Sequence, residues 1–226
     1  MKYLFADTAN LEEIKFLDGL ALIQGVTTNP SIVAKEPKQN FELLIDKLWD
    51  YCSHRNLPLS VEVFSNQAEE ITRQALEIRD RLIKINDRID LLYVKVPIGR
   101  SEIAAIKALP LQGINVNCTC CYTAEQMMLA VLSGAKYVSI FYNRLKDIGG
   151  DPLRDINLVR QFIDDNKSSA KIITGSVRKP ADLGDAWGAG SDIITCSQKI
   201  IMDSLHHDKS VESADQFLSD FSNWVN

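Results

Sequence analysis

The sequence predicts a (β/α)8 TIM barrel, an α/β fold, with one extra helix at the C-terminal end. Strand-like and helix-like segments alternate along all 226 residues, in eight pairs. Regular alternation of this kind predicts a parallel sheet with right-handed crossovers. No G-x-G-x-x-G motif follows the first strand, which argues against an open dinucleotide-binding sheet. No linker or repeat divides the chain, so we expect one domain over residues 1–226.

The predicted strands are short runs rich in apolar and β-branched residues. They cover residues 2–8, a run ending near 26–28, 60–64, 91–97, 114–120, 136–142, 171–176 and 192–197. Asn10, Asn40 and Asp151 are suited to capping the helices that follow them. The clearest helical stripe is Ile71, Ala75, Ile78, Leu82 and Ile85. Further helices are expected over 41–54, 101–109, 123–133, 180–187, 199–205 and, as an amphipathic tail, about 211–225.

Composition and charge exclude several classes of protein. Hydrophobic residues make up 46% of the chain, an ordinary value for a globular protein. Lys and Arg number 25 against 30 Asp and Glu, a net charge of −5, so no broad basic surface for nucleic acid is expected. No apolar run is long enough for a membrane helix, and Asp7 follows the start too soon for a signal peptide. We therefore expect a cytoplasmic protein that binds neither nucleic acid nor membranes.

Cysteine and histidine give little support for disulfide or metal chemistry. Five cysteines, an odd number, argue against a disulfide framework, and three histidines are too few for a histidine-rich metal site. Cys118 and Cys121 form a C-x-x-C pair, but residues three apart in a regular strand point to opposite faces. We expect cysteines that face outward beneath the helices, with no metal and no cofactor.

Lys95 interrupts the fourth predicted strand, which is otherwise apolar. In a β/α barrel, catalytic groups lie at the C-terminal ends of the strands. Burial favours the neutral form of an amine, and a neutral amine is a nucleophile toward carbonyl groups. The alternative is that Lys95 marks a strand edge and extends its ammonium group into water.

Two carboxylates have similar positions. Glu62 lies between valines in the third strand, and Asp7 ends the first. A lysine nucleophile needs a separate group to move protons, and a carboxylate can do this. The alternative for each is a helix cap or one side of a surface ion pair.

Polar residues recur near the ends of later strands. Asn117 and Thr119 are predicted to share one face of the fifth strand, with Cys118 and Cys120 on the other. The sixth and seventh strands are predicted to pair Ser139 with Phe141 and Thr174 with Ser176. Thr28 and Asn29 add polar groups beyond the second strand, and Arg144 and Arg178 follow the sixth and seventh. Arginine there suits phosphate or another oxyanion, although each arginine alone could be a rim residue paired to an acid.

Six segments, in order along the chain, resemble the transaldolase family, particularly its short members that include the fructose-6-phosphate aldolases. They are residues 5–10, 25–31, 94–97, 117–119, 139–144 and 175–178. The T-T-N-P and V-K-V-P elements are the most specific. The resemblance implies a metal-free class I mechanism in which a dihydroxyacetone unit moves from a ketose 6-phosphate, such as fructose 6-phosphate, to an aldose.

The resemblance also implies a role for each candidate residue. Lys95 would form a Schiff base, and Asp7 would move the proton of the hydroxyl whose C–C bond breaks. Glu62, through a water held by Thr119, would act as acid and base in iminium formation and hydrolysis. The other positions would bind substrate: Asn29, Asn117 and Ser139 the dihydroxyacetone unit, Arg144, Ser176 and Arg178 the distal phosphate, with Thr28 and Phe141 beside them.

Two positions within the family pattern distinguish its subgroups. Glu62 and Phe141 resemble the transaldolases, whereas free aldolases have glutamine and tyrosine there. Departures at residues 118–122, 140–142 and beside Arg178 leave three alternatives open: a 6-deoxy-6-sulfofructose donor bearing a sulfonate, an aldolase that releases dihydroxyacetone, and a non-catalytic sugar-phosphate-binding barrel. The resemblance implies a homo-oligomer, a pentamer or decamer, with the terminal helix on a neighbour; the alternative is a helix folded back over its own barrel.

Overall fold

Eight parallel strands form one closed barrel in the computed structural model, which describes residues 1–225. The strands are β1 (Tyr3–Asp7), β2 (Val26–Thr27), β3 (Leu59–Glu62), β4 (Leu92–Pro97), β5 (Asn115–Cys121), β6 (Tyr137–Phe141), β7 (Lys171–Gly175) and β8 (Ile193–Cys196). Each strand pairs with the next in the sequence, and β8 pairs with β1. The predicted (β/α)8 class is therefore confirmed.

Helices surround the barrel, and the predicted caps are confirmed. The helices are α1 (Leu11–Gly19), α2 (Pro30–Val33), α3 (Phe41–His54), α4 (Ala68–Leu82), α5 (Glu102–Ala108), α6 (Ala124–Leu132), α7 (Tyr142–Asp147), α8 (Pro152–Asp165), α9 (Ala181–Ala189), α10 (Gln198–Asp203) and α11 (Asp208–Val225). Asn10 Oδ1 accepts hydrogen bonds from the amides of Glu12 and Glu13, and Asn40 and Asp151 cap α3 and α8 in the same way. Each bond satisfies an amide that has no partner within the helix. The short helices α2 and α7 are not predicted.

The apolar core has two parts. The larger lies between the strands and the helices. The smaller, which we call the plug layer, fills the barrel interior and consists of Phe5, Tyr137, Ile173 and Ile193 with Tyr3 and Tyr93 packed against it. The rings of Tyr93 and Tyr137 are stacked, with centroids 3.9 Å apart.

A β-bulge breaks the side-chain alternation of β5. The pairing of β5 with β6 shifts register between Cys118 and Cys121, and Cys120 has a φ of +61°. As a result the Sγ atoms of Cys118 and Cys121 lie 3.9 Å apart on one face. The expectation that they point to opposite faces is wrong, because it assumed a regular strand. Among residues 1–225, no cluster of three or more His, Cys, Asp or Glu side chains is placed to hold a metal ion.

A left-handed residue also redirects the chain at the end of β7. The strand ends at Gly175, and Ser176 has a φ of +59°. The hydroxyl of Thr174 donates to Ser191 Oγ at 2.9 Å outside the barrel, whereas Ser176 faces the barrel mouth. The predicted common face of Thr174 and Ser176 is therefore wrong.

Helix α11 projects away from the barrel, and none of its residues is buried. Its apolar side chains are Phe217, Leu218, Phe221 and Trp224, which are 61–80% exposed. The packed position expected for Trp224 and the alternative of a helix folded back over its own barrel are both wrong. Over residues 1–225, no helix is long and apolar enough to span a membrane.

Candidate active site

Lys95 lies inside the barrel near the C-terminal end of β4. It is only 6% exposed. Its Nζ donates to the carbonyl oxygen of Thr28 at 2.7 Å and lies 3.2 Å from Oε2 of Glu62. An ammonium group is tolerated in an interior only with partners of this kind. The alternative of a strand-edge lysine with its ammonium in water is therefore wrong.

Glu62, Lys95 and Asn117 lie at one level of the barrel. Glu62 pairs with Lys95 across the β3–β4 ladder, and Lys95 pairs with Asn117 across the β4–β5 ladder. Residues paired in adjacent parallel strands point to the same face of the sheet. The Glu62 side chain is 14% exposed, so it is neither a helix cap nor a surface partner. It is a carboxylate within proton-transfer distance of the amine.

Asp7 is held by a chain of two threonine hydroxyls. The Thr27 hydroxyl donates to Asp7 Oδ1 at 2.7 Å, and the Oγ1 atoms of Thr27 and Thr195 are 2.6 Å apart. A hydroxyl has one hydrogen, so Thr195 is the donor in the second bond. Burial raises the pKa of Asp7, and the nearby Lys95 ammonium and the Thr27 hydrogen bond partly oppose this rise. A raised pKa brings a carboxyl group closer to the range in which it exchanges protons at neutral pH.

A second hydrogen-bonded chain orients Asn117. Ser139 donates to Oδ1 of Asn117 at 2.6 Å, and Nδ2 of Asn117 donates to Ser60 Oγ at 3.1 Å. All three residues are buried. Asn29 is fixed separately, because its Oδ1 accepts from the amide of Ile32 at 3.0 Å as the cap of α2. Both amide side chains are therefore oriented before any ligand binds.

These side chains line one pocket at the C-terminal mouth of the barrel. Its volume is about 320 Å³, part of which is open solvent. The lining residues are Asp7, Thr27, Asn29, Lys95, Asn117, Thr119, Ser139, Phe141, Ile173, Gly175, Ser176 and Thr195. Eight of the twelve predicted site residues belong to this lining. A small polar pocket with one amine suits a short polyhydroxylated carbonyl compound.

The other four predicted residues lie behind the pocket wall or at its rim. Glu62 contacts Lys95 as described. Thr28 offers its carbonyl to Lys95, while its hydroxyl donates to the Ser60 carbonyl at 3.1 Å, so its side chain serves the barrel wall. Arg144 and Arg178 follow β6 and β7.

The two arginines have different surroundings. The guanidinium carbon of Arg144 lies 4.6 Å from the ring centroid of Phe141, a cation–π contact. Within residues 1–225, Arg144 forms no ion pair. Arg178 forms a bidentate ion pair with Asp147, with N–O distances of 2.8 and 2.5 Å, and both side chains are about half exposed. The rim-arginine alternative therefore describes Arg178 as it lies here, and it does not describe Arg144.

Asp182 joins the two loops that carry these arginines. Its Oδ2 accepts from Nδ2 of Asn143 at 2.7 Å and from the amide of Arg178 at 3.0 Å. Nδ2 of Asn143 also donates to the carbonyl of Ser176 at 2.9 Å. Burial opposes ionisation of Asp182, but these hydrogen bonds outweigh it and lower its pKa. The rim next to Ser176 is therefore braced by a buried carboxylate.

Sequence reasoning does not identify Thr27, Thr195 or Asp182. Threonine is a favoured strand residue, so a threonine in β2 or β8 gives no signal by itself. Spacing held a weak one, because Thr195 follows Ile193 by two residues, as Asp7 follows Phe5. The role of Asp182 depends on contacts with distant segments and has no local signal.

Comparisons with known proteins agree with this geometry. A family model described as transaldolase/fructose-6-phosphate aldolase matches residues 4–225. A probable transaldolase of Alkaliphilus metalliredigens is 35% identical over 222 residues, 98% of this chain and 99% of that protein. Probable transaldolase 1 of Listeria monocytogenes is 37% identical over 217 residues, 96% of each chain.

Among solved structures, a chain of a cube-shaped porous cage, designed by fusing symmetric oligomeric domains, superposes with a TM-score of 0.60. The match covers 99% of this chain and 78% of that chain at 13% identity, which shows a likeness of fold alone. The family model and the relatives go further: the chain belongs to the transaldolase/fructose-6-phosphate aldolase family.

Proposed function

We propose that this protein is a Schiff-base transaldolase that transfers a dihydroxyacetone unit from a ketose 6-phosphate, such as fructose 6-phosphate, to an aldose. One observation carries the proposal: the buried amine of Lys95 lies in the pocket wall, 3.2 Å from the Glu62 carboxylate. Asp7 lines the same pocket as a second carboxyl group. The site therefore has a nucleophile and two proton carriers, which is the set that aldol cleavage through an iminium ion requires.

In the first step the Lys95 amine attacks the ketose carbonyl carbon. The resulting carbinolamine loses water to give the iminium ion. Glu62 lies next to Nζ and moves the protons of this step, through a water molecule held by the Thr119 hydroxyl. Hydrolysis of the final adduct uses the same groups in reverse.

In the second step Asp7 accepts the proton of the hydroxyl on the carbon beyond the bond that breaks. The C–C bond electrons move into the iminium ion, the aldehyde leaves, and an enamine of dihydroxyacetone stays on Lys95. An acceptor aldehyde then takes these electrons, and Asp7 returns the proton. The raised pKa of Asp7 suits a group that must both take and give a proton.

The binding roles follow from the two orientations described above. Asn29, Asn117 and Ser139 hold the hydroxyls of the three-carbon unit, since their side chains are fixed around Lys95. Arg144 and Ser176 receive the distal anion. Arg178 joins them after it leaves Asp147, because one guanidinium cannot hold two bidentate anions at once.

Phe141 favours transfer over release of dihydroxyacetone. Its ring holds the Arg144 guanidinium and has no hydroxyl that could activate a water molecule. The adduct on Lys95 therefore waits for an aldehyde acceptor. Release of dihydroxyacetone without acceptor, at the full turnover rate, would identify an aldolase instead.

The Arg178–Asp147 pair favours a second donor, a 6-deoxy-6-sulfofructose. Asp147 offsets the charge of Arg178, which leaves Arg144 as the rim arginine without a carboxylate partner among residues 1–225. A sulfonate has three acceptor oxygens but a single negative charge, so it needs less positive charge than a phosphate. The ratio of kcat/KM for the two donors decides between them.

Reduction with borohydride tests the proposed function. Wild-type protein is incubated with fructose 6-phosphate, reduced, and examined by intact mass, with Lys95→Met as a control of matched length. We expect a three-carbon adduct on the wild type alone. If neither fructose 6-phosphate nor the sulfonate analogue leaves an adduct, the proposal is wrong and a non-catalytic sugar-phosphate-binding barrel becomes the better description.

We also propose that α11 packs on a neighbouring copy in a homo-oligomer. The helix presents four large apolar side chains to solvent in the single chain: Phe217, Leu218, Phe221 and Trp224. An apolar face of this size marks an interaction site in soluble proteins. A monomer in native mass spectrometry at micromolar concentration would contradict this assembly.

A further inference from the structure

We propose that Cys118 and Cys121 form a covalent modification site, a dithiol that a small-molecule disulfide converts to an intramolecular disulfide. The family chemistry described above does not use either thiol. The site depends on the β5 bulge, which places both side chains on one face of the strand.

The distance between the two sulfur atoms supports this assignment. The Sγ atoms are 3.9 Å apart, and a disulfide bond is about 2.05 Å long. Closure therefore needs an approach of about 1.9 Å, which the two side chains share by rotation about χ1. Both residues are fully buried, so the pair is held together in a fixed environment and its effective concentration is high.

The other cysteines are not suited to this reaction. Cys52 and Cys196 lie elsewhere in the fold, and burial raises the pKa of each thiol to about 12. A thiol with so high a pKa is a poor nucleophile near neutral pH. Cys120 is partly exposed, but its left-handed φ of +61° separates it from the face that its two neighbours share.

The reaction balances with a small disulfide such as glutathione disulfide. The first protein thiolate attacks one sulfur of the reagent, forms a mixed disulfide and releases one glutathione thiolate. The second protein thiolate then attacks the protein sulfur of the mixed disulfide and releases the second glutathione. The protein dithiol loses two electrons and two protons, and the reagent leaves as two molecules of the reduced thiol.

The position of the pair connects it to the pocket. Thr119 lies between the two cysteines, and its carbonyl accepts a weak hydrogen bond from Cys121 Sγ at 3.8 Å. Thr119 is buried and lines the pocket beside Lys95. Drawing the two sulfur atoms together contracts the bulge around Thr119. We expect turnover to fall about tenfold or more, since a shift of about 1 Å at a catalytic group can cost about 100-fold; this consequence rests on the proposed function.

Burial makes the reaction slow but does not oppose it at equilibrium. The hydrogen bond with Cys118 and burial together raise the pKa of Cys121 well above its ordinary range. Attack therefore requires local opening of β5. Reaction times of hours, followed by reversal with dithiothreitol, are expected.

The test equilibrates the native protein in glutathione buffers of increasing oxidised fraction, blocks free thiols by alkylation, and maps the tryptic peptide 108–136, which contains Cys118, Cys120 and Cys121. We expect the peptide to retain one alkylated cysteine and to lose the mass of two hydrogens from the rest. Cys120→Ala removes the ambiguous partner and should still form the link, whereas Cys118→Ala and Cys121→Ala should not.

Two results would overturn the proposal. One is a wild-type peptide that stays fully alkylated in the most oxidising buffer. The other is a Cys120→Ala variant that gains only glutathione. Turnover with and without dithiothreitol is measured on the same samples, and a mapped disulfide that leaves turnover unchanged would refute the coupling to Thr119. Because the map does not depend on activity, a protein with no aldol activity counts against the proposed function alone.

Discussion

Replacing Thr27 with valine tests the hydrogen-bond chain that holds Asp7. The substitution keeps the shape of the side chain and removes the hydroxyl that donates to Asp7 Oδ1 at 2.7 Å. A hydrogen bond to a charged group is worth about 1.5–3 kcal/mol. Since about 1.36 kcal/mol corresponds to a tenfold change in rate, kcat/KM should fall about 10- to 150-fold.

The pH dependence gives this prediction its sign. Asp7 must be ionised to accept the hydroxyl proton, and the Thr27 hydrogen bond opposes the rise in pKa that burial causes. Removing that bond raises the pKa of Asp7 further. The acidic limb of the kcat/KM profile should therefore move to higher pH in Thr27→Val.

Thr195→Val is the matched control. It leaves the bond to Asp7 in place and removes only the outer donor, 2.6 Å from Thr27 Oγ1. Cooperativity along such a chain is about 10–30% per bond, so the loss should be small and the acidic limb should move in the same direction.

Cleavage of fructose 6-phosphate is measured from pH 5 to 9 by trapping the released aldehyde, with thermal melts to show that both variants fold. Schiff-base formation precedes the step that Asp7 serves, so borohydride adducts should persist in both. A lower rate with an unmoved acidic limb, or a larger loss in Thr195→Val than in Thr27→Val, would refute the reasoning.

Three further predictions concern other parts of the molecule. Because burial raises the pKa of Asp7 above its ordinary value of 3.8, the stability that its protonated form provides is lost as pH rises through the raised pKa; Asp7→Asn should abolish cleavage yet raise Tm at neutral pH, an increase that calorimetry should no longer find below pH 3.8. Asp147→Asn frees Arg178, and since an exposed ion pair is worth at most about 1 kcal/mol, KM for the phosphorylated donor should fall by up to about fivefold with kcat unchanged; a higher KM would mean that Asp147 positions Arg178 for the anion. Phe221→Ser with Trp224→Ser should reduce the assembly measured by light scattering while the circular dichroism of the barrel stays the same, and an unchanged assembly would place the interface elsewhere.

Much of the fold is predictable because its signals are local. The stripe of α4 and the caps at Asn10, Asn40 and Asp151 each lie within one helical turn or one helix face. The bulge in β5 depends instead on how that strand pairs with β6. No pattern within residues 115–121 specifies that pairing, so the face of Cys121 could not be predicted.

The site divides in the same way. A charged residue in an apolar strand, such as Lys95 or Glu62, is visible because its burial is costly without a partner. The ion pair of Arg178 and Asp147 joins side chains 31 positions apart, and only the folded loops decide it. The position of Ser176 in the pocket depends on one left-handed residue at the end of β7. Residue type therefore predicts which groups take part, while bulges and turns decide where they point.

The arrangement of the barrel interior explains why the amine and the carboxylate can share so small a pocket. In four strands, a residue of the plug layer precedes a pocket residue by two positions: Phe5 and Asp7, Tyr93 and Lys95, Tyr137 and Ser139, Ile193 and Thr195. Side chains two apart in a strand point the same way, so each polar group rests on an apolar one. The layer below excludes water and lowers the local dielectric, which strengthens the contacts of Lys95 and raises the pKa of Asp7. The plug layer thus contributes to the proposed chemistry without touching substrate, by making the interaction of each pocket group with its neighbour stronger than it would be in water.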